Sequence, residues 1–319
     1  MSGNSRIVWG QTNETPAPLS TQPVRPRRVL PPTPTLDQLG RDLTAQARQG
    51  RFDQLIVRDD VVRDICRVLL RSRKANPVLV GDAGVGKTAL VEMLARHLVQ
   101  DPQPERLQDL RLVELPIAMV VAGTSLRGSL EERLLAVLME LKARPDIILF
   151  IDEFHMLGGG AAEQAIVNIL KPALARDEIR VIGATTPGEF DRAIRPDPAL
   201  TRRIMPIQIA EPSAAETLEL LRHLTPALAT RHQVSIEPAA LEAAVSLSIA
   251  YERTRKLPDK AVDLLDDACT HALLPDEWDP DADPDGLPVV TAHLVAAAIA
   301  NRTGIPIDHL TRQAGDGPP

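Results

Sequence analysis

Between the apolar run Val78 to Val80 and a helix-like stretch from Thr88 to Leu98, the sequence reads Gly81-Asp82-Ala83-Gly84-Val85-Gly86-Lys87-Thr88. This is the pattern G-x-x-x-x-G-K-[ST], placed between a strand and a helix as its chemistry requires. Glycines let the backbone turn its N–H groups inward around phosphate oxygens, and the following helix presents the positive end of its dipole. Lys87 supplies a cation for the outer phosphates, and the Thr88 hydroxyl is a ligand for Mg²⁺. A second string fits the first. Ile147 to Ile151 is an apolar strand that ends in Asp152 and Glu153, about sixty residues downstream. Asp152 is expected to hold the Mg²⁺ hydration shell, and Glu153 to orient or deprotonate the attacking water.

The rest of the chain supplies a matching architecture. Short apolar runs at Val78 to Val80, Leu112 to Leu115, Ile147 to Ile151, Ile179 to Ile182 and Ile207 to Ile209 alternate with helical segments. Such alternation predicts an α/β fold with a five-stranded parallel sheet between helices. Within it, Val62, Ile65, Cys66 and Leu69 make one apolar face of a helix predicted over Asp59 to Ser72. After Glu211-Pro212-Ser213 the strand signals stop, which predicts a small all-helical subdomain over 213–310 that includes a final helix from Thr291 to Asn301. The α/β subdomain is expected over 36–212. Residues 1–35 carry seven prolines between Pro16 and Pro34 and read as a disordered arm, and 311–319 as a disordered tail. Residues 275–288 hold six acids, four prolines and no base, the composition of a solvated loop. Its prolines spoil the frame of a calcium-binding loop.

Composition removes other classes. Aromatic residues are only 2% of the 319, so base stacking has almost nothing to use. A formal charge of −7 argues against binding nucleic acid or an anionic membrane. Cys66 and Cys269 show no metal-ligand or disulfide spacing and are expected to act as small buried hydrophobes. No apolar run approaches the roughly 20 residues that cross a bilayer, so membrane insertion is not expected and the location is expected to be cytoplasmic.

With these strings on the page, the chain resembles the Clp-type AAA+ unfoldases, specifically the first of their two ATPase modules. The resemblance is carried by Leu36 to Thr44, by Asn76 to Gly81 running into the phosphate loop, and by Ile169 to Arg176, Gly183 to Thr186, Leu257 to Leu264 and Thr303 to Pro306. It implies a P-loop AAA+ module with a small helical lid, ATP and Mg²⁺ as nucleotide and cation, and ATP hydrolysis in a self-assembled ring, a hexamer. Thr186 looks like the first sensor of the γ-phosphate, with Thr185 as a neighbour able to share that role. Arg202 and Arg203 look like arginine fingers that reach the nucleotide of the next subunit. Pro258, Asp259 and Lys260 resemble the lid segment that lies against the nucleotide. Ile56 and Val57 fall where the adenine pocket begins, although the family usually has Gly at position 57, and Ala89, next after the loop, is expected among the nucleotide-binding residues.

Where the family's first pore loop carries an aromatic, Leu126 stands here, followed by Arg127. The second pore-loop region, Met156 to Val167, is a few residues shorter than usual. His155 follows the acidic pair as in the family and reads as structural or supporting. The stretch after Thr303 to Pro306 holds no second ATPase module in this sequence, so partnership with a ClpP-like peptidase is not expected. The resemblance therefore implies a ring that remodels or disassembles a protein client whose identity the sequence leaves open. The alternative is a nucleotide-gated assembly switch or scaffold that does not thread its partner.

Overall fold

The computed structural model describes residues 30–55, 58–121, 127–158, 164–273, 287–307 and 309–310. Ile56, Val57, Leu126, the tail, most of the proline-rich arm and of the acidic loop, and residues 159–163 of the second pore-loop region lie outside them. Pro31–Pro319 forms one compact unit. Its ordered body therefore starts before Leu36, within the segment assigned to the arm. Thr33 is buried, and the Thr35 and Leu36 N–H groups donate to the Glu140 carboxylate at 2.9 and 2.8 Å.

The strands are β1 (Arg41–Asp42), β2 (Asn76–Val80), β3 (Arg111–Glu114), β4 (Ile147–Ile151), β5 (Arg180–Thr185), β6 (Ile204–Gln208), β7 (Ser235–Ile236) and β8 (Val289–Val290). The main sheet runs in the order β1-β3-β4-β5-β2-β6. Its last five strands are parallel, as expected. A sixth strand, β1, adds to the β3 edge antiparallel, through Arg41 opposite Glu114 and Asp42 opposite Val113. Two residues carry no periodicity, which is why the sequence gives no sign of it.

Helices α1 (Pro34–Leu39), α2 (Leu43–Arg48), α3 (Asp59–Leu69) and α4 (Lys87–Gln100) precede β3. Between β3 and β6 come α5 (Ile117–Val121), α6 (Arg127–Ala143), α7 (Gln164–Ala175), the turn α8 (Pro187–Glu189) and α9 (Pro198–Thr201). Alternation along the buried strands assigns the two faces of the sheet. Ile147, Leu149 and Ile151 of β4 pack with α6 and α7, while Ile148 and Phe150 pack with α2, α3 and α4. Helix α3 stops at Leu69, three residues short of the predicted end, because the chain turns there into β2.

Beyond Glu211 the lid comprises α10 (Ala214–His232), α11 (Pro238–Tyr251), α12 (Asp259–Leu273) and α13 (Ala292–Thr303) around a core of its own. Ser213 starts it cleanly, since its hydroxyl accepts from the Glu216 N–H while the Glu216 carboxylate accepts back from the Ser213 N–H. The lid is not wholly helical: β7 and β8 pair in parallel, Ser235 with Val289 and Ile236 with Val290. Strands of two residues, far apart in sequence, leave no pattern to read. Both cysteines are buried as expected. No described helix is long and apolar enough to cross a membrane.

Candidate functional site

A cleft of about 440 Å³ opens at the C-terminal ends of β2, β4 and β5, under the lid. In open parallel sheets this is where the chain leaves its strands and where ligands bind. Of the phosphate loop, Ala83, Gly84, Gly86, Lys87, Thr88 and Ala89 line the cleft. Val85 is buried beneath them in the core, and Gly81 and Asp82 lend their carbonyls to the Lys87 Nζ at 2.8 and 2.9 Å. Gly84 and Gly86 stand at φ +84° and +88°, a region costly for any residue with a Cβ. Gly86 also caps α4 without a side chain, so the first N–H groups of α4 face the loop. Burial pulls the Lys87 ammonium below its ordinary range, against the opposing pull of Asp152 and Glu153.

β4 delivers the carboxylates. Asp152 Oδ2 accepts from the Thr88 hydroxyl at 3.0 Å, so the two oxygen donors expected around Mg²⁺ meet across the cleft. Hard oxygen ligands of this kind suit the cation, with the rest of its shell left to water and phosphate. Glu153 follows at φ +56°, an uncommon conformation for a non-glycine residue, and its carboxylate is 65% exposed. Beneath it Phe154 is fully buried against Gly183 of β5. A Cβ at position 183 would come within 2.5 Å of the Phe154 ring, so glycine at that position lets the acidic turn seat on β5.

β5 ends at Thr185, and Thr186 caps the turn α8. The Thr186 hydroxyl donates to Glu189 Oε2 at 2.7 Å, and the Thr186 N–H and Thr185 hydroxyl donate to the same oxygen at 3.0 and 3.2 Å. Burial would raise the Glu189 carboxyl, but these donations, with His155 alongside, hold it below its usual range. Thr185, Thr186 and Glu189 all line the cleft.

The lid closes the far side through Leu220 and Leu224 of α10 and Pro258, Asp259 and Val262. The Asp259 N–H lies 3.4 Å from the Gly84 carbonyl, and Lys256 bridges Glu211 at 3.0 Å and Asp82 at 3.6 Å. Lys260 is not in the cleft. Its side chain is buried in the lid, with Nζ donating to the Glu252 carbonyl at 3.2 Å, so of the three lid residues expected at the nucleotide only Pro258 and Asp259 line the cleft. Arg202 and Arg203 also lie off this cleft, at the end of α9. Arg202 is exposed, and Arg203 pairs with Asp177. Ile56 and Val57 lie outside the described residues, although their neighbours Gln54 and Leu55 form one wall. Sequence reasoning missed that wall, Met93, the lid leucines and Glu189. The capping pattern Thr186-x-x-Glu189 was the legible sign of Glu189. Nothing local marks Met93, Leu220 or Leu224.

Comparison with known proteins agrees in extent. The family model described as "ATPase family associated with various cellular activities (AAA)" matches residues 77–209, and a AAA lid domain model matches 213–285. The chain is 49% identical over 245 residues to the ATP-dependent Clp protease ATP-binding subunit ClpC of Staphylococcus aureus, covering 76% of this chain and 30% of that protein. It is 48% identical over 242 residues to the chaperone protein ClpB of Aquifex aeolicus, covering 75% and 24%. Among solved structures, a closed-state reconstruction of Hsp104 with ATPyS and FITC casein superposes with a TM-score of 0.75 at 40% identity, covering 85% of this chain and 46% of that one. The chain thus spans 30% or less of the length of these two curated relatives.

Proposed function

The chain belongs to the Clp-type AAA+ ATPases, and on that premise we propose that it binds ATP with Mg²⁺ in this cleft, hydrolyses it, and works in the cytoplasm as a six-membered ring that remodels or disassembles a protein client. One observation carries the chemistry. Lys87, Thr88, Asp152, Glu153 and the Thr185–Thr186 pair, drawn from three separate stretches of sequence, converge at the ends of three neighbouring strands.

In this reading the N–H groups of the loop and the Lys87 ammonium hold the phosphates. Thr88 and Asp152 hold Mg²⁺, which when bound neutralises charge on the phosphate oxygens. Glu153 orients a water and takes its proton as the water oxygen bonds to the γ-phosphorus and the bond to the bridging oxygen of ADP breaks. Thr185 and Thr186 face the terminal phosphate. Pro258 and Asp259 cover the nucleotide, while Lys260 stabilises the lid from within. Arg202 and Arg203, which lie off their own cleft, act in this reading on the nucleotide of the neighbouring subunit, Arg203 leaving its pairing with Asp177 to do so. A guanidinium supplied by the neighbouring subunit is worth about 10³ to 10⁵ in rate.

The test is light scattering on a sizing column for Glu153→Gln with and without ATP, because this change keeps binding while stalling hydrolysis. An ATP-dependent species of about six subunits supports the ring. A persistent monomer refutes it, because the arginines then have no target. Lys87→Ala should abolish nucleotide binding, and normal affinity would refute the phosphate assignment. The second reading, an assembly switch, is favoured by Leu126 standing where a gripping aromatic is expected. If Leu126→Ala leaves client remodelling intact, threading is wrong and the switch stands.

A further inference from the structure

The Glu153 side chain is largely exposed, so packing does little to fix its carboxylate. A long carboxylate side chain 65% open to solvent keeps rotamer freedom that a neighbouring group must remove if the carboxylate is to hold a water in place. Among the described residues, one side chain pairs with it. The His155 Nδ1 lies 3.4 Å from Glu153 Oε2, and the same nitrogen lies 3.3 Å from Glu189 Oε2 and 3.4 Å from the Thr185 hydroxyl.

We infer that His155 is a positioning residue for Glu153, its Nδ1 lying between the Glu153 and Glu189 carboxylates, so that the end of β5 and the water-activating carboxylate are joined through one imidazole.

Three features support this. First, the imidazole is well anchored: its neighbour Phe154 is wholly buried against Gly183, and the Met156 N–H donates to the Glu153 carbonyl at 3.0 Å to close the turn. Second, Glu189 is itself fixed by donation from both Thr185 and Thr186, so the carboxylate beside the ring holds its place. Third, the charged groups in contact with the imidazole come from two elements, Glu153 from its own turn and Glu189 from α8. The ring therefore lies where a shift of Thr185 or Thr186 would change how firmly Glu153 is held.

This inference rests on the assignment of Glu153 as the water-orienting group, and the experiment separates the two. ATP turnover and binding of a fluorescent ATP analogue are measured for the full chain and for Glu153→Gln, His155→Leu, His155→Asn, Glu189→Gln and His155→Leu/Glu189→Gln. His155→Leu should lower kcat about 10- to 100-fold with nucleotide affinity within about twofold, since misplacement of a reacting group by roughly 1 Å costs on that order. His155→Asn, whose amide nitrogen lies near the place of Nδ1, should recover most of the loss. Glu189→Gln should cost less, and nothing further in the His155→Leu background.

Wild-type kcat in His155→Leu, an equal loss in His155→Asn, or a parallel fall in affinity would overturn the inference. So would full additivity of the two changes. If Glu153→Gln itself turns over normally, the hydrolytic reading falls first and takes this inference with it. If Glu153→Gln is inactive and His155→Leu is not, only the inference falls.

Discussion

Substituting alanine for Gly183 tests how the fold holds the acidic turn. A Cβ at this position would lie 2.5 and 2.6 Å from Phe154 Cγ and Cδ2, and 2.8 Å from Phe154 Cβ. Carbon atoms rest about 3.5–4.0 Å apart, so a displacement of roughly 1 Å is forced. Turning the ring about its own bonds cannot relieve a clash with its Cβ. The backbone of Phe154 must therefore move, and Glu153 and His155 move with it. Overpacking of this kind costs about 1–3 kcal/mol, which for a domain of this size lowers Tm by roughly 3–10 °C. Shifting Glu153 by the same distance should lower ATP turnover by about 100-fold. Thermal melts by circular dichroism and a coupled phosphate-release assay read the two effects. Adding Phe154→Leu to Gly183→Ala makes room and should recover part of the stability, a coupling that distant sites would not show. A Gly183→Ala protein that melts with the parent and hydrolyses ATP within twofold of it would show that the seat of Phe154 does not control the turn.

Other consequences are equally direct. The Glu189 carboxyl is held below its ordinary value near 4.5, so it contributes stability above that pH and loses it as pH falls through the lowered folded value. Glu189→Gln should accordingly flatten the loss of stability below about pH 4.5 in acid titrations followed by circular dichroism. Burial raises both cysteine thiols to about 11. An aromatic disulfide reagent at pH 8 should then leave the native protein unlabelled and modify two thiols after denaturation. Lys256 is 38% exposed between Glu211 and Asp82, so Lys256→Met should lower Tm only slightly at low salt. The difference in Tm should vanish in roughly 1 M NaCl, where charges are screened within about 3 Å.

Much of this protein is legible along the chain because its information is local. The phosphate loop, Asp152 and Glu153 each occupy adjacent positions whose types and order follow from backbone conformation and phosphate chemistry. The five parallel strands announce themselves as apolar runs because both faces of the sheet are covered. Contacts between distant segments are different. Sequence places Lys260 beside Asp259 and gives them one role. Only the packing of α12 turns the first into the lid core and leaves the second over Gly84. The two-residue strands β1, β7 and β8 exist because a partner edge is present, and that edge lies far away in the chain. Glu189 is visible as a cap, yet that its carboxylate meets His155 depends on where β4 and β5 end in the same sheet. Residue type and spacing thus determined the phosphate chemistry and the layered fold. Tertiary structure decided which side chains share the cleft, since distances across the sheet are set by strand register and core packing that no single segment encodes.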